Sequence, residues 1–320
     1  MFLIYFLFCL NSSGERKFRY RQNYARFRNQ ATGRESINTS AQTSSQTDRI
    51  ELIRQTIKWS VYALLIVNWG YYFYDDWRIA QHTLVAGDSI REYFNSYATS
   101  LDELAWFVLL FLFEAETYWL DAEAITNLKR KLFVALRFAC YAFLAHTVYA
   151  YVFNYYELTQ APILASVSSV CDLSGQDFSF VRNLAYSVID ATNCGALSAT
   201  NTLYQVGGDQ VVTDIAGLNE LKLLYAVDIE DAIVWLAVVL MIELVVLIQE
   251  KGISEGPLIN GCNYLTIVLY GVLICNAMLW FWKGHWVYGW DELLWIGGFA
   301  TIEMNLSEWR DELKEEAAPA

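Results

Sequence analysis

Six stretches of the chain are almost wholly apolar: residues 61–74, 104–120, 132–153, 232–248, 264–282 and 293–302. A helix needs roughly 20 mostly apolar residues to cross a hydrocarbon core. Extending each run to its polar flanks predicts spans over residues 57–77, 101–121, 132–156, 228–249, 263–283 and 289–306. The sixth is the shortest, because Glu303 closes its apolar stretch; a run of that length also suits a re-entrant or interfacial segment. The predicted fold class is an all-α membrane protein, a polytopic bundle of about six transmembrane helices.

Composition agrees with this reading. Hydrophobic residues make up 55% of the chain and charged residues 18%, against about 25% charged in a typical soluble domain. The net charge of −13 points to no basic partner once its distribution is considered. Ten of the 22 Lys and Arg residues lie within residues 16–58, and residues 129–131 add three more. The positive-inside rule places both regions in the cytoplasm. The expected layout is a basic cytoplasmic segment (1–56), helices one to three (57–156), an extracytosolic segment (157–227), helices four to six (228–306) and an acidic tail (307–320), in the inner (plasma) membrane.

Residues 2–10 are apolar but too short to span. No basic region precedes them and Arg16, Lys17, Arg19 and Arg21 follow, so they read as a cytoplasmic or interfacial leader, or as the product of a misassigned start codon. Residues 29–49, rich in Ser, Thr, Asn and Gln, read as disordered. The basic, aromatic stretch 17–28 lies close to a span, which favours anionic lipid over nucleic acid as its contact.

Segment 157–227 is small for an independent core. Cys171 and Cys194 are the two cysteines placed outside, where oxidising conditions let them pair as a staple. Cys9, Cys140, Cys262 and Cys275 lack metal-site spacing and read as packing residues. Gly207-Gly208-Asp209 between two β-forming stretches predicts a hairpin over residues 203–213. Thr213 or Asp214 is placed to cap a helix running on into span four. Ser89 with Glu92, and Ser100 with Glu103, each have the spacing of a capping box.

Polar residues inside the spans carry the candidate chemistry. Glu243 is the one charge in residues 232–248, while Glu114 and Glu116 lie in span two and Arg137 in span three. At about 1.5 Å per residue, all four sit about 8 to 10 Å from the cytoplasmic ends of their helices. Charges in lipid are costly unless paired, so Arg137 is expected to pair with Glu114 or Glu116. Asn68, His146 and Asn276 form a layer nearer the midplane. Acids crowd the outer ends: Asp75 and Asp76 on span one, Asp102 and Glu103 on span two, Asp228, Glu230 and Asp231 on span four, and Asp291 and Glu292 at the start of span six. Such a mouth concentrates cations. The structural alternative is that these acids solvate helix ends, with Asp228, Glu230 and Asp231 also favoured by the dipole of span four. Trp77, Trp280, Trp282, Trp286 and Trp290, with Tyr71, Tyr72 and Tyr74, read as an interfacial aromatic belt that calls for no cofactor.

The chain lacks a phosphate-binding Gly-rich loop, a nucleophile elbow, a His-Glu-x-x-His motif and a Cys-x-x-Cys pair, so the common ATPase, hydrolase and thiol-redox signatures are missing. No nucleophile–base pairing is visible, which argues against an enzyme, and no metal site is expected. The leading expectation is a channel or secondary transporter for a cation or proton. Its path would run from the acidic mouth past Asn68, His146 and Asn276 to Glu243, Glu114 and Glu116, with Arg137 as counter-charge. The rival is an accessory or scaffold subunit. Expected partners are the lipid bilayer, the cation itself and either a second copy or a membrane-complex subunit.

Overall fold

The computed structural model describes residues 40–115, 127–165, 167–208, 210–250 and 256–299. Helices dominate it: α1 (Ser40–Thr83), α2 (Ile90–Ser96), α3 (Ala98–Glu114), α4 (Asn127–Thr159), the short α5 (Cys194–Leu197), α6 (Ile215–Glu250), α7 (Pro257–Trp282) and α8 over residues 286–299. Four strands form one sheet: β1 (Ser179–Arg182), β2 (Ala185–Val188), β3 (Tyr204–Gln205) and β4 (Val211–Thr213). The fold is therefore mostly helical rather than all-α. Two stretches, Lys131–Thr159 and Pro257–Trp282, are helical, long and apolar enough to cross a membrane.

The chain falls into two compact units, one of Met1–Leu64 with Phe107–Phe138 and one of Leu65–Trp106 with Ala139–Ala320. In the first, Trp59 packs edge-on against Tyr62, with ring centres 5.9 Å apart, and Ile57, Leu128 and Leu132 are exposed. The second holds the sheet and the features described below.

Local chemistry explains the element boundaries. Pro257 occupies the first turn of α7, where its missing N–H costs nothing. Ser89 and Glu92 form the expected capping box at α2. Ser100 does not form one. It lies inside α3, which already begins at Ala98, and its N–H and hydroxyl both donate to Asp76. α1 starts at Ser40, within the stretch expected to be disordered, so residues 40–49 are helical.

The sheet order is β2-β1-β4-β3, with β1 and β4 parallel and both outer pairs antiparallel. The expected hairpin is the β3–β4 pair. The unexpected one is β1–β2, closed by Asn183 and Leu184 at φ 50° and 57°. Positive φ at both central residues makes a turn that matches the strand twist.

Both faces of the sheet are covered. Phe180 and Val212 pack with Val170, Leu173, Ile189 and Leu203 on one side. Their neighbours Val181 and Val211 pack on the other with Leu158 of α4 and Leu218 and Leu221 of α6. Alternate side chains of a strand point to opposite faces, so consecutive valines here serve two cores. Cys171 and Cys194 are bonded, as expected, and tie the turn at Val170–Leu173 to α5 beside the first core.

The sheet is fixed to the helices on several sides. Asp214 caps α6 by accepting from the Gly217 N–H at 2.9 Å. His82 near the end of α1 meets Ser179 Oγ at 2.8 Å and stacks on Tyr186. The Asn183 side chain donates to the Lys283 carbonyl at 2.9 Å, and Lys283 pairs with Glu220 at 2.7 Å. Gly208 (φ 136°) lies so close to α1 that a Cβ there would be 2.8 Å from the Thr83 carbonyl oxygen.

Candidate functional site

A cavity of about 730 Å³ lies within the second unit. Helical periodicity builds its walls. α6 contributes Tyr225, Asp228, Asp231, Ala232 and Trp235, spaced to share one face. α1 contributes Tyr72, Asp76, Ile79 and Thr83 with the same recurrence. Residues 72–83 of α1 span about 16 Å at 1.5 Å per residue, so the cavity is elongated along the helices. α3 adds Asp102, Glu103 and Trp106, and α8 adds Tyr288, Asp291, Glu292 and Trp295.

Seven carboxyl groups of these four helices thus line one space. Two hydrogen-bonded chains organise four of them. Asn68 of α1 donates to Asp291 at 2.6 Å, Asp291 shares a hydrogen bond with Glu103, and the Trp295 indole donates to Glu103 at 3.2 Å. In the same pattern, Asn276 of α7 donates to Asp231 at 3.0 Å, Asp231 shares a hydrogen bond with Glu292, and the Trp235 indole donates to Glu292 at 3.0 Å. Asp291 and Glu292 are neighbours on α8, so the two chains sit side by side. Asp76 is buried and held by Ser100. Asp228 is half-buried and lines the cavity one helical turn before Asp231.

Arg91 is the one basic residue in the cavity lining, among the described residues. Its guanidinium lies 4.7 Å from the centre of the Phe153 ring, another wall residue. Tyr186 of β2 also faces the cavity; burial, aided by Asp75, pushes its hydroxyl up to about 12. The two histidines beside the sheet are both lowered from the usual imidazole value, chiefly by burial: His82, with Arg78 adding to the effect, and His285, which faces Asn183 at 3.2 Å.

The structure joins two layers that the sequence kept apart. Asn68 and Asn276, expected near the midplane, hold Asp291 and Asp231 of the expected mouth. The acids of α6 do not sit at a helix end. α6 begins at Ile215, so Asp228 and Asp231 lie turns inside a continuous helix and the dipole explanation does not apply. Glu230 is exposed and outside the lining. Asp75 faces Tyr288 and Arg78, at 2.6 and 2.7 Å, rather than the cavity.

His146 is not in the lining; it packs against Phe94 and Tyr149, and its buried Nε2 has no partner. Glu243 lies on α6 and Glu114 ends α3, but their side chains, and all of Glu116, are outside the described residues. The expected pairing of Arg137 therefore lies outside them too. Two residues of the expected aromatic belt belong to the site instead: Tyr72 and Trp280 are buried and line the cavity. The other six, Tyr71, Tyr74, Trp77, Trp282, Trp286 and Trp290, are exposed.

Among the described residues, no three His, Cys, Asp or Glu side chains are arranged to hold a metal ion. No family model, curated protein or solved structure matches the chain.

Proposed function

We propose that the chain is a multi-pass membrane protein that carries cations or protons, with the acidic cavity as its binding station. The observation that carries this reading is the convergence of ten carboxyl groups on one cavity, seven of them from α1, α3, α6 and α8, with a single basic side chain in its wall among the described residues. Two carboxyl groups in hydrogen-bond contact share one proton, because like charges that close do not both ionise. The Glu103–Asp291 and Asp231–Glu292 pairs are therefore sites for exchangeable protons in this reading.

The exterior supports a lipid environment. Val67, Phe73, Tyr264, Ile267, Met278 and Trp282 are large, apolar and exposed, a surface that suits hydrocarbon and is a liability in water. In this proposal the basic N-terminal segment is cytoplasmic, the sheet lies across the inner membrane, and Glu243, Glu114 and Glu116 continue the path with Arg137 as counter-charge. The scaffold alternative has its own support: the Asn68–Asp291 and Asn276–Asp231 bonds tie α1 to α8 and α7 to α6, as interhelical clamps do.

Flux in proteoliposomes tests the proposal. The pure protein is expected to dissipate an imposed potassium or proton gradient. Asp231→Asn and Glu243→Gln should each slow that flux at least about tenfold and change its pH dependence. Wild-type protein giving no flux above empty liposomes under either gradient ends the conduit reading in favour of the scaffold.

A further inference from the structure

The cavity is far larger than an alkali ion or a proton needs. Its volume of about 730 Å³ falls within the range of small-molecule sites, about 300–1,000 Å³. It is elongated, and its acids are spread along it: Asp88 and Glu92 near α2, Asp76 on α1, Asp228 and Asp231 on α6. Aromatic rings alternate with them. On α6 the order is Tyr225, Asp228, Asp231, Trp235, and on α8 it is Tyr288, Asp291, Trp295.

One acceptor in this lining lacks a protein donor: Asn95 Oδ1 is buried with no partner. A buried acceptor left unmade is costly, so it is open to a ligand N–H, and the half-buried Asp228 carboxyl faces the same space. Phe153 already carries the Arg91 guanidinium on its face, so the wall has a working contact between an organic cation and a ring.

We propose that the cavity binds an elongated organic cation with ammonium groups spaced along an apolar chain, the class of alkyl diamines and polyamines. Carboxylates and Asn95 Oδ1 accept from the ammonium groups, and Tyr225, Trp235 and Trp280 cover the methylenes between them. The inference deepens the conduit reading by naming its substrate class, and it rests on the same cavity.

Equilibrium binding without any gradient tests it separately from flux. Spermidine, sodium chloride at equal ionic strength and the neutral 1,8-octanediol are titrated into the full chain in lipid nanodiscs, with intrinsic tryptophan fluorescence as the readout. Spermidine should give a saturable change that sodium and the diol do not. Asp228→Asn should weaken it at least about tenfold, since a buried charged hydrogen bond is lost, and Asn95→Leu should weaken it as well. Neither residue holds another protein group, so neither variant should melt below the wild type without ligand. Spermidine behaving like sodium, or binding unchanged in both variants, overturns the inference. Proton flux without spermidine binding sinks this inference and spares the conduit reading. Binding without flux does the reverse.

Discussion

Asn68 Nδ2 donates to Asp291 Oδ1 at 2.6 Å across 223 positions of sequence, and both residues are buried. This bond joins α1 to α8 and holds one acid of the cavity by its short side. Asn276 does the same for Asp231. Each asparagine supplies what a carboxyl in an apolar bundle needs, a neutral donor that adds no charge.

Asn68→Ala should therefore destabilise by about 1–3 kcal/mol, the usual cost of leaving a buried acceptor unmade. Asp291→Leu in the same background should add less than it does alone, because the two share one interaction. Thermal unfolding in detergent of both single variants and the double variant checks this. Strict additivity would show that the bond contributes no coupling.

Gly289 sets how closely α8 approaches α7. A Cβ there would lie 2.8 Å from the Ala277 carbonyl oxygen and 3.0 Å from the Phe281 ring. Gly289→Ala should cost about 1–3 kcal/mol through overpacking and displace Asp291 and Glu292 on the next turn. Melting curves test the first effect and flux the second. Unchanged stability would mean that the two helices separate without penalty.

Burial pushes the Asp214 carboxyl up, but the Gly217 amide, the Arg182 guanidinium and the Ser198 hydroxyl outweigh it and hold the group below its usual 3.8. The ionised form thus favours the fold. Its contribution is complete above about pH 3.8 and drains away as pH falls through the lower folded value. Asp214→Asn should flatten this acid-side loss, and Asp214→Ala should also remove the α6 cap at a cost of about 1 kcal/mol. Hydrogen exchange at the Gly217 amide across an acid titration is the measurement. An identical pH dependence in wild type and Asp214→Asn would refute the assignment.

Features with local causes were legible in the sequence. The disulfide was legible from two cysteines sharing the one long segment between predicted spans, the β3–β4 hairpin from its glycine turn, and the caps at Ser89 and Asp214 from side-chain chemistry. The β1–β2 hairpin was not legible, because Asn183-Leu184 lacks the glycine that usually signals such a turn. Ser100 with Glu103 has the capping-box spacing, yet Asp76 captures Ser100 from another helix. Asp228 and Asp231 were expected at the start of a helix, whereas α6 starts well before its apolar run does. Which acids face inward depends on helix azimuth, which the neighbouring helices decide; Asp228 and Asp231 turn in and Glu230 turns out.

The 36 residues of α6 form a rod of about 54 Å with no proline along it. Its first turns carry Leu218 and Leu221 under the sheet, and a few turns on the same rod carries Asp228 and Asp231. No hinge separates the two. Whatever grips the sheet, be it a partner protein, an antibody fragment or a strained linker, therefore holds one end of a lever whose other arm is the acidic wall. A tilt applied at the strands arrives at the carboxyl groups as a displacement, so force on this face is felt as chemistry inside.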